Sequence, residues 1–174
     1  VLTVRAARPT VQARASAEAL PADRLVRGRP VRWAAADGSP VHGIHYAAAG
    51  PAPAPLIVSI HGGPTSQDRL TFDIENQFWV SRGWSVLTVN YRGSTGYGRD
   101  YMTALRGQWG VLDVEDAETG ARHLVDEGLA DPDRLVIMGG SAGGFTVLRA
   151  LTTRPGLFRA GVARYAVSDL FGLT

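Results

Sequence analysis

The stretch that most constrains this chain is Leu135-Val136-Ile137-Met138-Gly139-Gly140-Ser141-Ala142-Gly143-Gly144. An apolar run of strand character ends on a serine bracketed by glycines, and a helix-compatible run, residues 145–151, follows at once. A serine held in so sharp a strand-to-helix turn takes a strained backbone. Side chains two residues to either side would collide, which is why Gly139 and Gly143 stand there. The turn lifts the hydroxyl above the sheet edge and sets it at a helix N-terminus, where backbone N–H groups favour a developing negative charge. Ser141 is therefore the candidate nucleophile, and a purely structural glycine turn is the competing reading. Five letters alone occur often by chance; the strand before and the helix after give them weight.

The rest of the chain supplies a scaffold for that turn. Residues 31–35 and 41–47 read as strands around Asp37-Gly38-Ser39-Pro40, a hairpin signal. His42 and His45 fall three apart in the second strand and point to opposite faces, so they are read as ordinary strand histidines with no shared metal. Residues 56–60 form the continuous apolar run of a buried parallel strand. It ends in His61-Gly62-Gly63-Pro64. A glycine pair after a buried strand lets backbone N–H groups approach a ligand, as an oxyanion hole requires. His61 is read as a prop for that loop in preference to a catalytic base.

Residues 72–82 are loosely helical in spacing and are closed by Gly83. The strand 84–89 then leads into Asn90-Tyr91-Arg92-Gly93-Ser94-Thr95-Gly96-Tyr97-Gly98. This loop has neither the spacing nor the lysine of a phosphate cradle, and is read as a turn with a modest part in lining the site. Residues 113–127 are the clearest helix. Val114, Ala117, Ala121, Leu124 and Val125 share its apolar face, with Asp113 as N-cap, Asp116 on a solvated face and a Glu118–Arg122 pair. Asp131-Pro132-Asp133 turns the chain into the serine strand, and residues 159–167 read as a last strand. Alternating strands and helices from residue 56 onward predict an α/β fold, a mostly parallel sheet with helices on both faces. Residues 1–28 read as a short strand at 1–5 followed by linker.

Composition excludes several classes. A net charge of +2 gives no nucleic-acid or membrane footprint, and the eighteen basic residues are all arginine. No run reaches the length of a membrane span, and the first twenty residues lack the apolar core of a signal peptide. The absence of cysteine excludes disulfides and thiolate metal sites and favours a cytoplasmic location. Neither cofactor nor metal is expected, and the oligomeric state is open.

Three blocks in combination, His61-Gly62-Gly63-Pro64-Thr65-Ser66, residues 90–100 and residues 139–144, go further. With Phe158-Arg159-Ala160-Gly161-Val162 and Val167-Ser168-Asp169-Leu170, they resemble the α/β-hydrolase peptidase domain of the prolyl oligopeptidase family, in its acylaminoacyl-peptidase-like branch. Hormone-sensitive-lipase-type esterases share a Ser-Ala-Gly-Gly turn, but carry a third glycine where this chain has Pro64. The resemblance implies Ser141 as the acylated nucleophile and the backbone N–H groups of Gly63 and Ala142 as the oxyanion hole. The implied substrate is a peptide or acylated peptide, cleaved through an acyl-enzyme. A carboxylesterase and an inert or scaffolding product are the alternatives.

In α/β-hydrolases the acid and then the histidine follow the serine. Here all four histidines (His42, His45, His61, His123) precede Ser141, and Asp169 falls too early to be the usual acid. The resemblance therefore implies the amino-terminal portion of a peptidase domain over residues 29–174, incomplete at its C-terminal end, with residues 1–28 as linker or remnant of a preceding β-propeller. An unpaired last strand would leave such a chain poorly soluble or partly unfolded in isolation.

Overall fold

The computed structural model describes residues 2–5, 8–13, 21 and 25–169. Near the amino terminus β1 (Leu2–Arg5) pairs antiparallel with β2 (Arg8–Val11). The second strand corrects the expectation of linker directly after the first. Four residues are too few for a period of two to register, and Pro9 argues against a strand. Most of the remaining linker and propeller-remnant stretch lies outside the described residues.

Six strands build the main sheet: β3 (Arg29–Ala34), β4 (Pro40–Tyr46), β5 (Ala54–Ile60), β6 (Ser85–Asn90), β7 (Ala130–Gly140) and β8 (Ala160–Arg164). Their order is β3-β4-β6-β5-β7-β8. The hairpin strands β3 and β4, and β4 against β6, are antiparallel; β6, β5, β7 and β8 run parallel. From β5 the chain crosses to β6 on one side and returns to β7 on the other. The carboxyl ends of β5 and β7 thus flank the point where strand order reverses, the place where open α/β sheets leave a crevice.

Alternation along each strand divides the core. Leu56, Val58, Ile60, Leu87, Val89, Leu135 and Ile137 face α3 (Leu112–Asp126) and α4 (Ala142–Thr153), the short α2 (Arg99–Thr103) following the loop after β6. Ile57, Val86 and Met138 face α1 (Ile74–Val80) on the other side. Helices on both faces of a largely parallel sheet are the predicted fold class, an incomplete α/β-hydrolase-like domain. β8 closes one edge and is exposed at every residue but Ala163.

Two helices differ from the sequence reading. α1 begins at Ile74 because Asp73 caps it, its carboxylate accepting the Asn76 amide at 2.9 Å. Phe72 precedes the helix and is 59% exposed. In α3 the N-cap is Val111, and Asp113, Asp116 and Glu118 are buried instead of solvated. Asp113 accepts from the Gly110 amide at 2.6 Å and from the Thr146 hydroxyl of α4. Burial still raises its pKa, against those bonds. Glu118 pairs with Arg154 at 3.1 Å, not with Arg122 as its partner in the helix. A helical wheel counts all three acids as polar; the side chains that hold them, Thr146, Arg92 and Arg154, lie far along the chain.

His42 and His45 do take opposite faces. His42 stacks on Tyr97 with centroids 4.2 Å apart, while His45 is buried toward α3. Burial, then Arg29 and His123, depress the His45 pKa from 6.5 to about 4. The unfolded chain therefore binds the extra proton between those values, so His45 destabilises the fold as pH falls from 6.5 toward 4. Relative to a His45→Gln variant, the native chain is expected to lose up to about 1.4 kcal/mol per pH unit across that window. Thermal unfolding of both proteins at several pH values checks this; a constant difference would refute it.

Candidate active site

Ser141 sits between the end of β7 and the start of α4 with φ 55 and ψ −119. This left-handed backbone is rare for a residue with a side chain, and it leaves Ser141 exposed. The glycines around it have steric causes. A Cβ on Gly139 would stand 2.6 Å from the Gly143 carbonyl oxygen. One on Gly143 would press on the Ile60 and His61 carbonyl oxygens, and one on Gly144 would come within 2.8 Å of Ala166 Cβ. The turn is also tied to the chain after β8. The Ser141 amide donates to the Arg164 carbonyl at 3.1 Å, and the Ser141 carbonyl accepts from Val167 at 3.3 Å. Ala142 opens α4, so its amide has no acceptor inside the helix.

The glycine pair after β5 lies against this turn. A Cβ on Gly62 would be 3.1 Å from the Gly140 carbonyl oxygen, 3.4 Å from Ser141 Cβ and 3.9 Å from the Ala142 nitrogen. Gly63 has φ 126, where glycine alone is unstrained. The sheet thus brings Gly62, Ser141 and Ala142 into one corner, with Gly63 the next residue along the loop.

His61 is the prop the sequence suggested. Its Nδ1 lies 2.9 Å from the Gly62 carbonyl oxygen and its Nε2 lies 2.8 Å from Ser94 Oγ. Burial lowers its pKa, opposed by the Gly62 carbonyl. Its ring stacks on Tyr91 at 4.4 Å. The Tyr91 hydroxyl in turn donates to the Pro64 carbonyl at 2.9 Å. With both nitrogens committed to the loop, His61 holds the glycine pair in place. Among the described residues, no side chain hydrogen-bonds Ser141 Oγ.

The loop after β6 has a larger part than its sequence suggested. Asn90, Tyr91, Arg92 and Ser94 are buried. Asn90 clamps Asp68, accepting its amide at 2.7 Å and donating to its carbonyl at 3.0 Å, and Thr95 donates to the Ser66 carbonyl at 2.8 Å. The loop buttresses the glycine pair from behind and is absent from the walls of the cavity beside Ser141. Behind it, Arg92 donates to Asp116 from Nη2 at 2.7 Å, to Glu115 at 3.0 Å and, from Nη1, to Asp37 at 3.0 Å. No single residue type in the sequence announces this; three segments have to meet first.

The sequence profile of the prolyl oligopeptidase family matches residues 70–173, more than half of the chain and inclusive of the serine turn. The chain belongs to the prolyl oligopeptidase family. Its relatives place it in the acylaminoacyl-peptidase branch of these serine peptidases. The dipeptidyl aminopeptidase BIII of Pseudoxanthomonas mexicana is 40% identical over 119 residues, covering 68% of this chain and 17% of that protein. The acylamino-acid-releasing enzyme of Arabidopsis thaliana is 40% identical over 116 residues, 67% of this chain and 15% of that protein. Among solved structures, a Mycobacterium tuberculosis puromycin-hydrolyzing peptidase superposes with a TM-score of 0.91 at 44% identity, over 96% of this chain and 27% of that one. A Pyrococcus horikoshii acylaminoacyl peptidase gives 0.75 at 32% identity, over 82% of this chain and 24% of that one. The chain spans about one-sixth of the length of the curated relatives it matches. Among the described residues no helix is long and apolar enough to cross a membrane.

Proposed function

We propose that this family member works as a peptidase that cleaves peptide or acyl-amino-acid bonds through an ester on Ser141. The observation that carries the reading is the strained, exposed Ser141 at the head of α4 with the Gly62-Gly63 loop packed against it. In this reading Ser141 Oγ attacks the scissile carbonyl carbon and passes its proton to a base. The Gly63 and Ala142 amides hold the resulting oxyanion, each worth about 3 to 4 kcal/mol to the transition state. The C–N bond then breaks, the amine leaves with the proton from the base, and water hydrolyses the ester to free the serine. Family relatives named for dipeptide and acylamino-acid release support a peptide or acylated-peptide substrate. Residues 29–174 are then part of the peptidase domain, with residues 1–28 leading into it.

The base comes from outside the described residues, since His61 is committed to its loop and none of the other histidines bonds Ser141. A fluorophosphonate probe followed by peptide mass spectrometry tests the reading. A single adduct on Ser141 is expected in a form of the protein that includes the base. An unmodified Ser141 in such a form would sink the proposal and leave the fold assignment standing.

A further inference from the structure

Two adjoining cavities of about 250 and 230 Å³ share Asp68, Asp73, Asn76 and Thr88 as walls. One end is formed by Gly62 and Ser141, the other by Tyr46. Their floor is unusual for a central sheet. Thr88 of β6 stands opposite Ser59 of β5, where flanking positions carry valine, leucine and isoleucine. Thr88 is only 4% exposed, and its hydroxyl has no hydrogen-bond partner. A buried hydroxyl without a partner is destabilising unless something else in the cavity bonds it.

The walls above are acidic. The main chain of Asp68 is fixed by Asn90, while its carboxylate has no partner among the described residues. Burial, then the neighbouring Asp73, raise its pKa to about 6. One oxygen of Asp73 caps α1. Glu75 is already neutralised by Arg164, through bonds of 2.9 and 3.1 Å. The remaining guanidinium, Arg69, is exposed at the rim of the smaller cavity. Two carboxylates without a bonded cation therefore share one polar space, with Thr88 in its wall and the unpartnered Thr88 hydroxyl buried beside it.

We propose that this cavity is a subsite for a cationic group of the substrate, an ammonium held by Asp68 and Asp73 over the Thr88 hydroxyl. An ammonium brings three donors and no acceptor, the complement of that set. Because Ser141 forms the cavity's end, the ammonium belongs to a residue flanking the scissile bond; this placement rests on Ser141 being the acylated residue. Two sources share the chemistry, the α-ammonium of an unblocked amino terminus and the ε-ammonium of a lysine side chain.

Calorimetric titration separates them without relying on turnover. Alaninamide, N-acetyl-alaninamide and N-acetyl-lysinamide are titrated into the native protein, Asp68→Asn and Thr88→Val. The native protein is expected to bind one of the two amines at least about tenfold more tightly than N-acetyl-alaninamide. Preference for alaninamide assigns the α-ammonium, and preference for N-acetyl-lysinamide the side chain. Asp68→Asn is expected to remove the preference, and Thr88→Val, nearly isosteric, to weaken it with the melting temperature held or raised. Equal binding of all three amides, or an unchanged preference in Asp68→Asn, overturns the proposal and leaves a water-filled cavity. Fluorophosphonate labelling of the same proteins is scored separately, so a failed nucleophile and a failed cation subsite give different results.

Discussion

Replacing Ser141 by alanine is expected to abolish fluorophosphonate labelling and to lower kcat by a factor on the order of 10⁴ to 10⁶ in a form that turns over peptide anilides. The oxyanion amides and the binding walls survive the change, so the residual rate stays above that in water. The stability of the fold is expected to change little. Alanine meets the same backbone strain at φ 55, and the serine hydroxyl has no partner among the described residues to lose. The decisive comparison is therefore a large loss of rate at a nearly constant melting temperature. A Ser141→Ala protein that still cleaved the anilide at a tenth of the native rate would place the nucleophile elsewhere. One that unfolded would make the serine turn a folding element first.

Arg92→Ala is expected to destabilise the fold by about 3 to 5 kcal/mol, a fall in melting temperature on the order of 10 °C. Arg92 is 5% exposed and Asp116 is fully buried, so truncating the arginine strands a carboxylate inside the protein. Lysine is not expected to rescue it, because a single ammonium cannot reach Asp116, Glu115 and Asp37 as the planar fork does. The deficit has a pH signature. Burial pushes the Asp116 carboxyl up to about 6 even with Arg92 opposing. Without the guanidinium its pKa rises further, so the penalty shrinks as pH falls toward about 6 and is constant below it. Joint replacement of Arg92 and Asp116 by apolar residues of similar size is expected to recover most of the loss. If the joint variant were as unstable as Arg92→Ala, the damage would lie in the loop packing and not in the stranded charge. The site is coupled to this pair through the chain, since Arg92 is two residues from Ser94, the partner of His61.

Much of this was legible because it is local. The run 135–144 specifies strand, turn and helix largely by itself: Gly139 and Gly143 answer collisions within the turn or with the end of β5, and only Gly140 and Gly144 answer residues beyond β8, Tyr165 and Ala166. The buried strands read from continuous apolar runs, and the β3–β4 hairpin from its Asp-Gly turn, for the same reason. His61 could be read as a prop because a histidine directly after a buried strand has a loop to hold. The misread residues share one physical origin. Asp113, Asp116 and Glu118 look like capping or surface charges in any window of sequence, and they are buried because Thr146, Arg92 and Arg154, 24 to 36 residues away, neutralise or hydrogen-bond them.

The α/β class, the run of elements from β3 onward apart from the short α2, the serine turn and its family are thus written in the sequence, because backbone geometry and alternation act over short spans. Which polar groups lie inside was settled by the packing of distant segments. That packing brought Asn90, Tyr91 and Ser94 behind the glycine pair, and left Asp68 and Thr88 facing an acidic cavity that opens beside Ser141. The reason is that burying a polar group is tolerable only where a partner waits, and partners are assembled by the fold, not by neighbours in the chain.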